Sequence, residues 1–422
     1  MARHQIRRIA LSALFLTLAT PPALADVEFK AMGPFRLPGD LEVITMEDRG
    51  QARVTVDTWV EAGAAQDYPG YPGLAAAVAV AVAESGMRQA IEGLGGTLTH
   101  AAHRDTTHFS ATVPADRLAE ALPLLGEAVA RLDWAKVDMA MVRQRLAAAR
   151  AARTPAVIAA VRLLAELNGP AAGHGVYGFE AATRDLPVEP LQAFYDRHYL
   201  PAKVKVVLVG DLDTGKSVGQ VVNGYAALLK RTPGEGAVPS RPLAAPAARW
   251  AAGETRVVAG ARGPAFSAQR ELAAMDMLAE ALAGSDKARL PQALAGKAKS
   301  VSAEWHERKG SGALVIQVVG EPAETMAIEK AVRDVIGDLR TGTVSLDEHA
   351  RAMRALTTAY EKANQTHAEQ AATLGYFQTM AGDYRWARTY PEVIRQVSRQ
   401  DMMAVAQKYL TPDAIKVVVL TP

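Results

Sequence analysis

Cysteine is absent from the 422-residue sequence. Its absence excludes disulfide bonds, thiolate zinc ligands and cysteine nucleophiles. Packing must therefore stabilise the fold, and the composition suits this, since 49% of the residues are hydrophobic and 22% are charged. The length predicts two or three domains.

An excess of charge of either sign is also lacking. The chain has 47 basic and 45 acidic residues, and three of the bases, Arg3, Arg7 and Arg8, lie in the first 25 residues, which contain no acid. Without that segment 47 − 3 = 44 bases face 45 acids, a net charge of −1. A near-neutral chain gives no support for general nucleic-acid binding.

Long apolar runs are missing too, because no segment after the N-terminus approaches the roughly 18 uninterrupted apolar residues of a membrane span. Residues 9–18 form a short apolar run that follows the three arginines and precedes Ala23-Leu24-Ala25. This pattern is typical of an export signal. We therefore predict a signal peptide over residues 1–25, a mature chain from Asp26, no membrane span, and a periplasmic or secreted location.

A proline-rich segment divides the chain. Residues 231–247 contain four prolines and two glycines, which break regular structure, so we predict a linker between an N-terminal domain (26–230) and a C-terminal domain (248–422). A helix ending in Tyr-Leu, then a proline and a β-branched strand, occurs at residues 191–209 and again at 402–420. This spacing of roughly 210 residues indicates a duplicated domain, since solenoid repeats span about 20–50 residues.

Both halves show strand and helix patterns in the same order. The order predicts an α+β fold of two homologous domains, each an antiparallel sheet with helices packed on it. Predicted strands lie at 41–44, 54–60, 97–101, 106–113, 204–209, 255–258, 300–305 and 312–319, and predicted helices at 74 onwards, 115–132, 134–153, 156–168 and 271–283, and from 324, 346 and 368.

Short phrases recur over nearly the whole mature chain in a fixed order and spacing. Among them are Val60-Glu61-Ala62-Gly63, Gly73-Leu74-Ala75, Gly95-Gly96-Thr97-Leu98, Arg104-Asp105-Thr106-Thr107, His198-Tyr199-Leu200-Pro201 and Val209-Gly210-Asp211-Leu212. No single phrase is specific, but their order and spacing resemble those of the insulinase and pitrilysin family of zinc peptidases. The resemblance implies two such domains per chain, closing with a second chain or a fused half over an unfolded peptide.

The zinc ligands of that family are missing. The family's helix after Gly-Leu carries His-x-x-Glu-His, which binds zinc and supplies a general base. A third ligand, a glutamate, falls in residues 142–150, which contain no carboxylate. We therefore predict no catalytic residue, no metal site and no cofactor here, with zinc only in a partner subunit. The motif positions are Ala76, Ala79 and Val80 counted from Gly73, or Ala77, Val80 and Ala81 counted from Gly86.

A complementary role in catalysis also lacks its residues. The resemblance to two-subunit bacterial relatives implies that a zinc-less chain supplies an arginine and a tyrosine to the partner's site. The matching residues 294–302 offer lysines and serines, with neither residue in register. Peptide binding, partner stabilisation or gating remain as roles.

One strand retains a possible binding function. In active relatives the strand equivalent to residues 97–101 pairs with the substrate backbone, and backbone pairing depends little on side-chain identity. We predict substrate-peptide binding at Thr97, Leu98, Thr99, His100 and Ala101.

Other patterns are weaker candidates. Residues 210–217 match a phosphate-binding loop, but Asp211 and Asp213 would repel phosphate, so a helix cap by Thr214 or Ser217 is the better interpretation. We assign His174 to a structural loop.

Two clusters of side chains have simple interpretations as well. His100, His103 and His108 have strand spacings that predict opposite faces rather than a shared metal. The helix bearing Arg143, Arg145, Arg150 and Arg153 could bind an acidic peptide, although a solvated face is the simpler interpretation.

These observations predict a non-catalytic subunit of a periplasmic insulinase-like peptidase, which pairs with a zinc-bearing homologue and forms a peptide-binding chamber. The alternative is a stand-alone periplasmic peptide-binding or scaffold protein, which the missing arginine and tyrosine favour. An active zinc endopeptidase with unrecognised ligands is the least supported hypothesis.

Overall fold

Two separate sheets organise the computed structural model of the chain. The structure describes residues 28–169, 173–234, 237–242 and 254–421. The predicted signal peptide and parts of the predicted linker lie outside the described residues, and the domain boundaries stay predictions.

The first sheet has six strands in the order β1-β2-β6-β3-β5-β4. Its strand pairs are antiparallel except β2 and β6, which are parallel. The predicted antiparallel sheet is confirmed, and β2 and β6 add one parallel pair to it. The strands are β1 (Met32–Arg36), β2 (Glu42–Glu47), β3 (Arg53–Val60), β4 (Thr97–Ala102), β5 (Thr107–Pro114) and β6 (Val204–Gly210).

The second sheet is antiparallel throughout and has the order β10-β7-β9-β8. This order repeats β6-β3-β5-β4 of the first sheet, so the duplicated α+β fold is confirmed. Its strands are β7 (Thr255–Ala265), β8 (Ala298–His306), β9 (Ser311–Gly320) and β10 (Lys416–Leu420).

Helices cover both sheets. In the first half they are α1 (Leu74–Val82), α2 (Arg88–Gly93), α3 (Leu118–Ala130), α4 (Met139–Ala151), α5 (Pro155–Asn168), α6 (Glu180–Thr183), α7 (Val188–His198) and α8 (Thr214–Gly224). In the second half they are α9 (Gln269–Ala283), α10 (Arg289–Ala293), α11 (Thr325–Thr341), α12 (Leu346–Lys362), α13 (His367–Ala381), α14 (Trp386–Gln396) and α15 (Arg399–Tyr409).

Local sequence explains where several helices begin. Asp138 caps α4 and Thr154 caps α5, whose first residue is a proline, a position where proline is tolerated because its missing N–H has no helical partner. Capping boxes formed by Ser345, Thr366 and Ser398 begin α12, α13 and α15. Each cap satisfies backbone N–H groups that the helix itself leaves free.

The two halves exchange one helix each. Helix α5 of the first half packs on β7, β9 and β10, and helix α13 of the second half packs on β3 and β6. At Gly375 in α13 a Cβ would lie 2.1 Å from Nε1 of Trp59 in β3, so this contact requires glycine. At Gly260 in β7 a Cβ would lie 1.9 Å from the carbonyl oxygen of Leu314 in β9 and 2.8 Å from Cδ2 of Leu163 in α5. The backbone of β9 therefore requires glycine at this position, and α5 packs directly over it.

Polar contacts reinforce this exchange. Arg308 donates two hydrogen bonds to Asp105, at 2.8 and 3.2 Å. In α13, Gln378 donates to Glu42 at 2.8 Å. The two halves are therefore joined by ion pairs and hydrogen bonds as well as by packing.

One helix in the described part of the chain, Leu74–Gly93, is long and apolar enough to cross a membrane by length and composition. Residues Leu74–Val82 of this helix are all buried in the hydrophobic core of the first half. Their apolar character is thus explained by packing.

Candidate functional site

Helix α1, at the place of the family's zinc helix, is apolar on every side. It packs against β4, α4 and α7. Since the side chains of alanine and valine have no lone pair to donate, this helix does not fit a zinc ion or an activated water. The motif positions of both registers, Ala76, Ala77, Ala79, Val80 and Ala81, have exposures of 0–8%.

Helix α4, where the third zinc ligand would fall, carries arginines instead of a carboxylate. Arg143 donates to the carbonyl of Leu186 at 2.9 Å, and Arg150 donates to Thr183 Oγ1 at 2.7 Å. The interpretation of a solvated basic face is wrong for these two, because their guanidinium groups hold the segment that contains α6. Arg145 differs, since it is 59% exposed and approaches Glu84 Oε2 at 3.8 Å.

Strand β4, which contains the predicted peptide-binding residues, forms one edge of the first sheet and pairs only with β5. The backbone N–H of Ala115, just after β5, donates to the carbonyl of Ala52, just before β3. This bond fixes which residues of β5 direct their backbone N–H and C=O groups to β3 and which direct them to β4. By alternation along the antiparallel ladder, Thr97, Thr99 and Ala101 bond to β5. The backbone groups of Leu98 and His100 therefore point outwards from the sheet. Peptide binding at β4 stays a prediction.

Arg88 at the start of α2 reaches this open edge. Its Nη1 donates to the outward carbonyl of Leu98 at 2.6 Å, and its Nη2 lies 3.4 Å from Nδ1 of His100. Its Nε donates to Glu84 at 2.9 Å. Burial and then the charge of Arg88 lower the pKa of His100 to about 4, so the imidazole is neutral near pH 7 and accepts this contact.

Sequence spacing could have found only part of this cluster. Glu84 and Arg88 are four residues apart, the distance at which side chains meet on a helix, although a π-helical segment, Ala83–Met87, separates α1 from α2. The contact of Arg88 with Leu98 depends on how α2 and β4 pack, which no local pattern encodes.

The N-terminus of α1 is held by a buried carboxyl group. Asp67 accepts from the backbone N of Gly73 at 2.6 Å and of Ala75 at 2.8 Å, while burial raises its pKa to about 7. His174 Nδ1 lies 3.6 Å from Asp67, and Arg104 donates to the His174 carbonyl at 3.1 Å. His174 thus has the structural contacts expected of it.

His103 and His108, the other two histidines of the strand cluster, stack on each other. His103 and His108 have ring centroids 5.5 Å apart, and His108 stacks on Trp59 at 4.4 Å. The prediction of opposite faces is wrong here, because the antiparallel register pairs Ala101 with His108. The backbone N–H of His103 continues this register by donating to Thr106 O, so His103 lies on the same face as His108. His108 Nδ1 lies 3.1 Å from Asp57. Across the described residues, no group of three potential ligands gathers for a metal.

The candidate phosphate loop is occupied by carboxylates. Asp213 caps α8 by accepting from Lys216 N at 2.8 Å, and Glu47 accepts from Thr214 N at 2.9 Å. The predicted cap by Thr214 or Ser217 is wrong, since the aspartate takes that position. These acceptors occupy the N–H groups that a phosphate would need.

The second half has a cavity that the sequence did not predict. Its volume is about 830 Å³, and it follows β8 from Ala298 to Glu304. Its lining also includes residues of α9 and α12, together with Ala156 and Arg256. Most of residues 294–302, the segment in which the resemblance implies an arginine and a tyrosine, therefore line this cavity. The edge strand β4 of the first sheet differs, because Arg88 contacts its outward carbonyl at Leu98.

Comparisons with known proteins agree with this fold. A protease from Helicobacter pylori has a TM-score of 0.80 at 17% identity, over 94% of this chain and 100% of that chain. The peptidase M16 inactive domain from Pseudomonas fluorescens has a TM-score of 0.79 at 19% identity, over 94% and 98%. A chain of Complex III2 from Candida albicans, with Inz-5 bound, has a TM-score of 0.75 at 15% identity, over 92% and 96%.

These likenesses show the fold, a duplicated α+β fold like that of M16-type peptidase structures. More narrowly, residues 185–356 match the family model described as the peptidase M16 inactive domain, in agreement with the resemblance to insulinase-type peptidases. No curated protein matches the chain.

Proposed function

We propose that the chain is an exported, non-catalytic subunit that pairs with a zinc-bearing M16-type peptidase and completes its peptide-binding chamber. One observation carries the proposal. The described residues form both sheets of the duplicated fold, while the zinc positions on α1 are filled by close-packed alanine and valine side chains with exposures of 0–8%. Architecture kept without metal ligands favours a role in assembly over a role in bond cleavage.

Two further features support pairing and peptide binding. The similar chain from Candida albicans belongs to an assembly, Complex III2. In this chain both β4 and β8 are edge strands, and edge strands present unpaired N–H and C=O groups that an extended peptide can pair with.

Reconstitution tests this proposal. The mature chain is tagged and isolated from its native host at endogenous level, and stoichiometric companions are identified by mass spectrometry. We expect a homologue carrying His-x-x-Glu-His. The two chains mixed should cleave an unfolded peptide faster than the homologue alone, and a zinc chelator should abolish this cleavage. Chelator-sensitive cleavage by the isolated chain would contradict the proposal.

The alternative is a stand-alone periplasmic peptide-binding or scaffold protein. It is favoured by residues 294–302, which supply Lys299, Ser300 and Ser302 to the cavity along β8 but no arginine or tyrosine. Recovery of the chain alone or as a homo-oligomer, with unchanged peptide binding, would support this alternative.

Export is part of the proposal and has its own test. Residues 1–25 carry the pattern of a signal peptide. N-terminal sequencing of the chain from the host should begin at Asp26, and cell fractionation should place it outside the cytoplasm. An intact N-terminus in the cytoplasm would contradict export.

A further inference from the structure

A side chain of the protein itself, Arg88, already bonds the open edge of β4. The outward carbonyl of Leu98 accepts from Arg88 Nη1 at 2.6 Å. A peptide that adds to β4 needs this carbonyl as an acceptor for one of its own N–H groups. The guanidinium and an incoming peptide therefore compete for the same oxygen atom.

The surrounding charges decide what displaces Arg88. Glu84 is shared by two arginines, Arg88 at 2.9 Å and Arg145 at 3.8 Å, so the cluster carries an excess positive charge. Arg88 directs two further N–H donors to Leu98 and His100. When it leaves Leu98 it loses a charge-assisted hydrogen bond. A carboxylate on the peptide replaces that bond with an ion pair, whereas the amide oxygen of a neutral side chain replaces it with a weaker hydrogen bond.

We propose that Arg88 makes the β4 edge selective for extended peptides that carry an acidic side chain beside it. The proposal rests on the peptide binding proposed above. A neutral peptide breaks the contact between Arg88 and Leu98 and gives Arg88 at most a neutral acceptor in its place. An acidic peptide offers Arg88 a new partner, while the exposed Arg145 remains beside Glu84.

Two fluorescein-labelled peptides of equal length test the selectivity, one with glutamates and the other with glutamines at the same positions. Their affinities for the mature chain are measured by fluorescence anisotropy. We expect the glutamate peptide to bind about tenfold more tightly, the ratio that one charge-assisted hydrogen bond supplies.

Variants at Arg88 separate this selectivity from general attraction by positive charge. In Arg88→Ala the glutamine peptide should bind about tenfold more tightly than to the wild type, so that the preference disappears. Arg88→Gln keeps most of the side-chain stem and should show the same loss of preference. Arg131→Gln is the control, because Arg131 is an exposed arginine whose nearest carboxylate, Glu127, lies 4.0 Å away, and it should keep the preference.

The outcomes are distinguishable. Equal affinity of both peptides for the wild type, or a preference that survives in both Arg88 variants, would overturn the role of Arg88 and leave peptide binding intact. If neither peptide binds to any folded variant, as judged by thermal melting, peptide binding by the isolated chain is overturned and the proposal falls with it.

Discussion

The two edge strands β4 and β8 occupy equivalent places in the duplicated sheets, but their surroundings differ. At β4 an arginine bonds the outward carbonyl of Leu98, and the neighbouring α1 is wholly apolar. At β8 a cavity of about 830 Å³ follows the strand. The neighbouring α9 buries two acids, Asp276 and Glu280. Duplication has kept the backbone arrangement while the chemistry beside each edge has diverged.

The largest expected effect comes from breaking the helix exchange that the two sheets share. Gly375→Val would place a side chain against Trp59, since even a Cβ at this position would lie only 2.1 Å from Nε1. We expect a loss of about 3 kcal/mol in the free energy of unfolding, because an overpacked contact cannot relax. Denaturant unfolding measures it.

A second glycine serves as the control for this substitution. At Gly337 in α11 a Cβ would meet no atom within 4 Å. Gly337→Ala should stabilise the chain by about 0.5–1 kcal/mol, since alanine favours the helix. Wild-type stability of Gly375→Val would show that α13 does not seat on the first sheet.

Acid should weaken the first half before the second. Burial lowers the pKa of His100, His174 and His198 to about 4 and of His103 to about 3. A histidine whose folded pKa lies below its unfolded value of about 6.5 stabilises the fold above pH 6.5 and loses that contribution as the pH falls towards 4. All four lie in the first half.

One group opposes this trend. The pKa of Asp67 is raised to about 7, so it stabilises the fold as the pH falls below 7. Four histidines against one carboxyl group predict a net loss of stability between about pH 6.5 and 4. Hydrogen exchange should show earlier loss of protection in the first sheet, and simultaneous loss in both sheets would contradict this prediction.

Restoring one ligand to α1 should not restore metal binding. Ala77 is fully buried, so Ala77→His forces an imidazole into a packed core and should cost about 2 kcal/mol. Zinc should leave the melting temperature of the variant unchanged, whereas a zinc-dependent rise would contradict the fit described here. Gln89→His at an exposed position of α2 is the control and should melt like the wild type.

The smallest effect concerns the acids of α9. Tyr390 donates to Asp276 at 2.5 Å in the buried core. Tyr390→Phe should lower the free energy of unfolding by about 1.5 kcal/mol, the contribution of a hydrogen bond to a carboxyl group. Tyr409→Phe removes a similar bond to Glu271 at a partly exposed position and should cost less. Equal losses would show that burial does not strengthen the contact at α9.

Local patterns predicted the scaffold well and the contacts between its parts poorly. Period-two alternation placed β4 and β5 within a residue or two, and the repeated Tyr-Leu phrase revealed the duplication. The stacking of His103 on His108 was missed because the register between two strands, and not the parity along one strand, decides which of their residues share a face. The cap by Asp213 was missed because its carboxylate competes with the nearby hydroxyl groups for the cap position. The contact of Arg88 with Leu98 arises only in the folded chain.

The exchange of α5 and α13 has a consequence for how the protein is made. The last strand of the first sheet ends at Gly210, but the helix that packs on β3 and β6 ends only at Ala381. During synthesis the face of the first sheet that α13 covers therefore stays exposed to solvent until most of the second half has been translated. Sheets exposed in this way invite aggregation, so the nascent chain depends on prompt completion or on a chaperone, and neither half is expected to mature without the other.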